Sequence, residues 1–244
     1  MNEPEKIYND LLLFYGRITF LTILIPVFVA VWKYKFLNKI LKLFLFYLIL
    51  TFVFGLIEQL FVWVASNTKL LNNLIKAFNI GDTNFYQVVY YLKNFLVLGW
   101  IYALLLENYA STIWLKRVTA FLVVSVAFNY FFGEGYNVYG VYNPTVDSIF
   151  CLVLPLFFLW FVYTDIRSKV HINKNSYFWI SLGLAIPNLV SLILFLVGKK
   201  LYATNFVLFC QISLGRDVIS VIGFVLVSVG FYYARFTKYL PQHQ

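Results

Sequence analysis

Seven apolar runs, each long enough to cross a bilayer, fix what this chain can fold into, because hydrocarbon offers a backbone no partner but itself. They cover about 11–32, 40–65, 86–106, 113–132, 146–164, 177–197 and 205–233. Crossing ~30 Å of hydrocarbon takes about 20 apolar residues as a helix. A transmembrane barrel would show shorter alternating strands, which are not seen here. The expectation is an all-α, polytopic membrane protein, one seven-helix bundle spanning residues 1–244. At 62% hydrophobic and 12% charged residues, a water-soluble domain is excluded.

The net charge of +9 is spread as topology signals are spread, in short segments beside the apolar runs, and so does not point to nucleic acid. Lys33, Lys35, Lys39, Lys42, Lys116, Arg117, Arg167, Lys169, Lys174, Arg235 and Lys238 fall on one side. Lys6, Lys69, Lys76, Lys199 and Lys200 fall on the other. The positive-inside rule then places the N-terminus outside and the C-terminus in the cytoplasm. Glu3, Glu5 and Asp10 precede the first run, so no cleavable signal peptide is expected there.

Two segments on the outer side stand apart. Leu70, Leu71, Leu74, Ile75 and Phe78 recur at helical spacing, which predicts an interfacial helix over about 67–80. Residues 133–144, reading GEGYNVYGVYNP, predict an interfacial aromatic belt, or else a small hairpin or cap over the bundle mouth. The tail at 236–244 is too short for a domain, so any intracellular output must pass through a partner.

Arg17, Glu58, Lys93, Arg216 and Asp217 remain inside the runs once flanking charges are set aside. Ions in the membrane are costly and normally face a bundle interior or water. Counting ~1.5 Å per residue puts all five in the outer half or near the midplane. Thr51, Gly55 and Glu58 share a helical face, as do Tyr90 and Lys93, and Cys210, Ser213, Asp217 and Ser220 form a stripe with Arg216 beside it. A polar cavity open to the outside follows, with a Glu58–Lys93 ion pair expected as its latch. Three cations against two acids leave an unmatched positive charge, supplied by Arg17 or Arg216, which suits an anion or polar ligand with Arg216 and Asp217 as its contacts. The competing reading is a closed network, with Arg17 snorkelling outward. Pro26, Pro155 and Pro187 each remove a backbone donor and predict kinks, and Asn188, beside Pro187, is placed to satisfy a freed group or line the cavity.

Catalytic signatures do not occur: there is no phosphate loop, paired metal-binding histidine motif or nucleophile elbow. His171 and His243 fall in cytoplasmic segments, and Cys151 and Cys210 read as plain buried thiols. The last run lacks a lysine for a retinal Schiff base, so no cofactor is expected and the chain reads as a non-enzyme.

The loop and span over 39–50, the stretch NFYQVVYYLKNF at 84–95, the tyrosine-rich loop into the fifth run and Phe178-Trp179 resemble an uncharacterised seven-transmembrane family of Bacteroidetes inner-membrane proteins. Members of that family usually carry a His and a Glu near the start of the third span, where this chain has Val88 and Asn94. The resemblance implies a sensory or signalling-associated protein of the bacterial inner membrane. A receptor with a cytoplasmic or membrane signalling partner is the leading expectation. The alternatives are a small transporter or channel using Glu58 or Asp217, and a structural subunit of a membrane complex.

Overall fold

The computed structural model describes residues 3–67, 83–107, 112–135, 140–164 and 172–239. Among them are seven helices long and apolar enough to cross a membrane, and no strand. Span one is Lys6–Trp32, span two Lys39–Ala65, span three Asn84–Leu106 and span four Ile113–Phe132. Span five is Tyr142–Thr164, span six Ser176–Thr204 and span seven Phe206–Phe236. The interfacial helix expected over 67–80 lies, beyond Asn67, outside the described residues, as do both histidines.

The spans run alternately up and down. At one end, here the upper, the Tyr130 hydroxyl donates to the Phe85 carbonyl at 2.7 Å, and the Gln211 amide donates to the Tyr8 hydroxyl at 3.1 Å. At the lower end the Asn38 amide and the Tyr177 hydroxyl bond each other at 2.7 Å. Lys33 lies over the Tyr232 ring at 5.1 Å, Lys174 over Phe236 at 5.6 Å, and Arg235 over Phe36 at 6.0 Å. The lower end thus gathers cations that sequence position had grouped on one side.

Asparagine starts three of the helices by taking up otherwise orphaned amide protons. The Asn38 oxygen accepts from Leu41 N, that of Asn175 from Tyr177 N and Phe178 N, and that of Asn205 from Leu208 N. Spans six and seven approach closely because glycines face each other. A Cβ on Gly183 would sit 2.5 Å from the Gly223 carbonyl oxygen, and one on Gly223 would sit 2.5 Å from the Pro187 ring. Close backbone approach of this kind substitutes for the hydrophobic drive that lipid does not supply.

Of the three prolines, Pro26 alone accompanies an interruption: span one divides into Glu3–Thr22 and Leu24–Trp32. Pro155 and Pro187 lie inside uninterrupted helices. A break in the regular pattern that no proline signals occurs at Asn94–Leu98, a π-helical turn in the middle of span three. Below that turn the interior is filled by rings: Phe44 meets Tyr102 at 6.0 Å edge to face, and Phe158 meets Tyr177 at 6.3 Å. All four are buried, and the Tyr102 hydroxyl is paired with Ser181 at 2.9 Å.

Candidate functional site

The stripe expected on span seven is real: Cys210, Ser213 and Asp217 are buried on one face. Beside it opens a cavity of about 300 Å³ walled by spans one, three, six and seven, with Arg216, Asp217, Ser213, Gln87 and Tyr91 among its lining. Arg216 donates from Nη2 at 2.8 Å and from Nε at 3.2 Å, both to Asp217 Oδ1. Asp217 is 4% exposed, and its second oxygen, Oδ2, is buried with no hydrogen-bond partner among the described residues. A buried carboxylate oxygen with nothing donating to it is among the costlier arrangements a fold can hold, so it marks the place. Gln87 and Tyr91 are tied together, the Tyr91 hydroxyl donating to Gln87 Oε1 at 2.8 Å.

A second cavity of about 140 Å³ lies lower, lined in part by Thr51, Asn188 and Ser220. Asn188 does not reach the upper cavity, nor the Gly183 carbonyl that Pro187 leaves without its helical donor. It lines the lower space, and its amide donates to the Leu184 carbonyl at 2.7 Å, one turn back along the Pro187 segment.

The expected Glu58–Lys93 ion pair is not formed. Glu58 instead accepts from the Tyr90 hydroxyl at 2.9 Å, and Lys93 donates to Thr51 Oγ1 at 2.7 Å with its ammonium 4.5 Å from the Tyr47 ring centre. The faces of spans two and three meet as their spacing implied, but one turn of offset exchanges the partners. Arg17 does not join the cluster either: its side chain is exposed on span one, while its neighbour Gly16 lines the upper cavity.

The structure adds a group passed over in the sequence. Asp147 accepts from Asn94 Nδ2 at both oxygens, 2.9 and 3.0 Å, while Asn94 Oδ1 accepts from the Tyr47 hydroxyl at 3.0 Å. The Cys151 thiol also reaches Asp147, at 3.7 Å. Lys93, Thr51, Tyr47, Asn94, Asp147 and Cys151 therefore form a polar chain across spans two, three and five. The apolar run had been taken to begin at Val146, which made Asp147 a flanking charge. The helix begins at Tyr142, and the carboxylate lies more than a turn inside.

Why the helix starts early is visible in the loop before it. Glu134 accepts from Val141 N at 2.9 Å, from Tyr142 N at 3.1 Å and from Asn129 Nδ2 at 3.1 Å. Partial burial raises the pKa of this carboxyl, but those three donors outweigh it and hold the group below the ordinary carboxylate range. The described part of the 133–144 segment is thus a loop closed on one carboxylate, a small cap at the upper end.

Among the described residues no cluster of His, Cys, Asp and Glu is arranged to hold a metal ion, and both cysteines are free and buried. Fold and site together define a helical bundle with seven helices long and apolar enough to cross a membrane and a cavity with polar lining in its upper half. Comparison with protein-family models, with curated proteins and with solved structures returns no match for this chain.

Proposed function

We propose that the protein is a receptor-like or sensory integral membrane protein of a bacterial inner membrane. A polar ligand enters the cavity in the outer half of the bundle, and signalling passes through a partner at the cytoplasmic face. One observation carries this reading: a cavity of about 300 Å³ lined by Arg216 and by Asp217, whose buried Oδ2 has no hydrogen-bond partner among the described residues. Arg216 and Asp217 contact the ligand. Glu58 and Lys93 tie spans two and three together beside it, Asn188 lines the lower cavity, and Arg17 faces outward on span one.

The cation-rich lower end supports an N-outside orientation, because the described cations Lys33, Lys174 and Arg235 gather there. It also offers a basic surface to a cytoplasmic partner. The ring layer of Phe44, Tyr102, Phe158 and Tyr177 supports a cavity closed below, as a receptor needs and a channel does not. Transport remains the second reading on one observation, the polar chain from Lys93 to Asp147, which supplies further ionisable groups beside Glu58 and Asp217. Arg17, exposed among apolar neighbours, is the feature that suits the complex-subunit reading.

The test uses cells producing a Ser213→Cys chain. A membrane-impermeant maleimide added outside labels this cysteine in intact cells, while the native chain, neither of whose cysteines lines the cavity, stays unlabelled. Labelling only after permeabilisation would reverse the orientation and end the receptor reading.

A further inference from the structure

We infer that the upper cavity takes a small zwitterion with an apolar side chain, a free amino acid in chemical type. This rests on the reading of that cavity as a ligand pocket and names what the pocket recognises. Asp217 uses Oδ1 on both Arg216 contacts and leaves Oδ2 buried without a partner among the described residues. A primary ammonium, compact and carrying three donors, answers that oxygen. Arg216 has five N–H donors in a planar fork, of which two go to Asp217. Its side chain is 31% exposed and lines the cavity, and the remaining donors, without a partner among the described residues, can receive a carboxylate.

The two groups are neighbours on one helix and already in contact. A ligand that meets both must therefore carry its own opposite charges close together, as an amine and a carboxylate on one carbon do. A simple cation would meet the adjacent guanidinium, and a simple anion would meet the unpaired carboxylate. Ser213, one turn earlier on the same face, adds a hydroxyl with no partner among the described residues. Leu12, Leu194, Phe195 and Phe209 complete the wall and give an aliphatic side chain somewhere to lie. A volume of about 300 Å³ is at the small end for ligand sites, which suits a metabolite of this size.

The experiment uses the full chain in lipid nanodiscs and three matched probes. L-Leucine carries both charges, 3-methylbutylamine lacks the carboxylate, and 4-methylpentanoate lacks the amine. Leucine is expected to bind at least tenfold more tightly than either fragment by equilibrium titration. Asp217→Asn, which keeps an acceptor for Arg216, and Arg216→Gln are each expected to weaken leucine by tenfold or more. Leucine should also slow labelling of Ser213→Cys by a water-soluble thiosulfonate. Equal binding of amine and leucine, or no binding of any probe, overturns the zwitterion assignment. If Ser213→Cys still labels in those cases, the pocket stands and only its ligand class is wrong. An unreactive Ser213→Cys removes the pocket, and the assignment with it.

Discussion

The Asn94 amide nitrogen donates to both oxygens of Asp147, 2.9 and 3.0 Å away, and so joins span three to span five through a side chain that cannot itself ionise. It does so from the first residue of the π-helical turn, where the extra residue per turn brings both Lys93 and Asn94 inward. Removing the amide leaves the Asp147 carboxylate with only the Cys151 thiol as donor among the described residues. Asn94→Ala should therefore cost about 1–3 kcal/mol, lowering the melting temperature in detergent by several degrees. The double change Asn94→Leu with Asp147→Leu should melt closer to the native chain than Asn94→Ala alone, since no buried carboxylate is left unpaired. Equal melting of Asn94→Ala and the native chain would show that this contact holds nothing.

Lys93 is 6% exposed and among the described residues makes one side-chain hydrogen bond, to Thr51, from a group with three donors. Besides that bond it faces the Tyr47 and Tyr90 rings at 4.5 and 5.5 Å, little return for desolvating an ammonium. Lys93→Met should melt no earlier than the native chain, and gain up to about 1–3 kcal/mol by chemical denaturation. A loss of that size instead would make Lys93 a structural tie.

Glu134 makes a pH prediction. Its folded pKa is depressed, so the loop it closes is stabilised above the ordinary carboxyl pKa of about 4.3, and that stabilisation is lost as pH falls through the lower folded value. Glu134→Gln should lower the melting temperature at pH 7, by the equivalent of about 1 kcal/mol for a partly exposed site. The gap between variant and native chain should close as the buffer is taken below pH 4. A gap that persists in acid would mean the carboxylate charge is not what the loop uses.

The glycine contact between spans six and seven separates two outcomes. At Gly223 a Cβ would meet the Gly183 carbonyl oxygen at 2.6 Å, and that backbone cannot swing aside. Gly223→Ala should destabilise by about 1–3 kcal/mol as spans six and seven part. At Gly215 nothing lies within 4 Å, so Gly215→Ala should be neutral or gain about 0.5–1 kcal/mol from helix propensity. Thermal melting of the two variants side by side checks the packing directly.

Much of this was readable from residue spacing. The seven spans follow from run length alone, and the Ser213–Asp217 face follows from the i, i+4 rule. Asp147 was not readable, because Tyr142, Asn143, Pro144 and Thr145 resemble a loop. Pro144 is tolerated in a first turn, and Glu134 takes up the Tyr142 amide, so the helix starts there. The Lys93 partner was missed for a different reason. Spacing says which faces meet, but the offset between helices decides whether Glu58 finds Lys93 or Tyr90. The π-helical turn leaves no composition signal that marks it.

The central claim is that Ser213 and Asp217 on span seven line a cavity that a solute can reach, while Val218 faces outward from the bundle. Single cysteines at Ser213 and at Val218, which is 52% exposed on the outer face, test it in nanodiscs with a water-soluble thiosulfonate. The account predicts fast labelling at 213 and little at 218. Labelling at 218 with an inert 213 would contradict it.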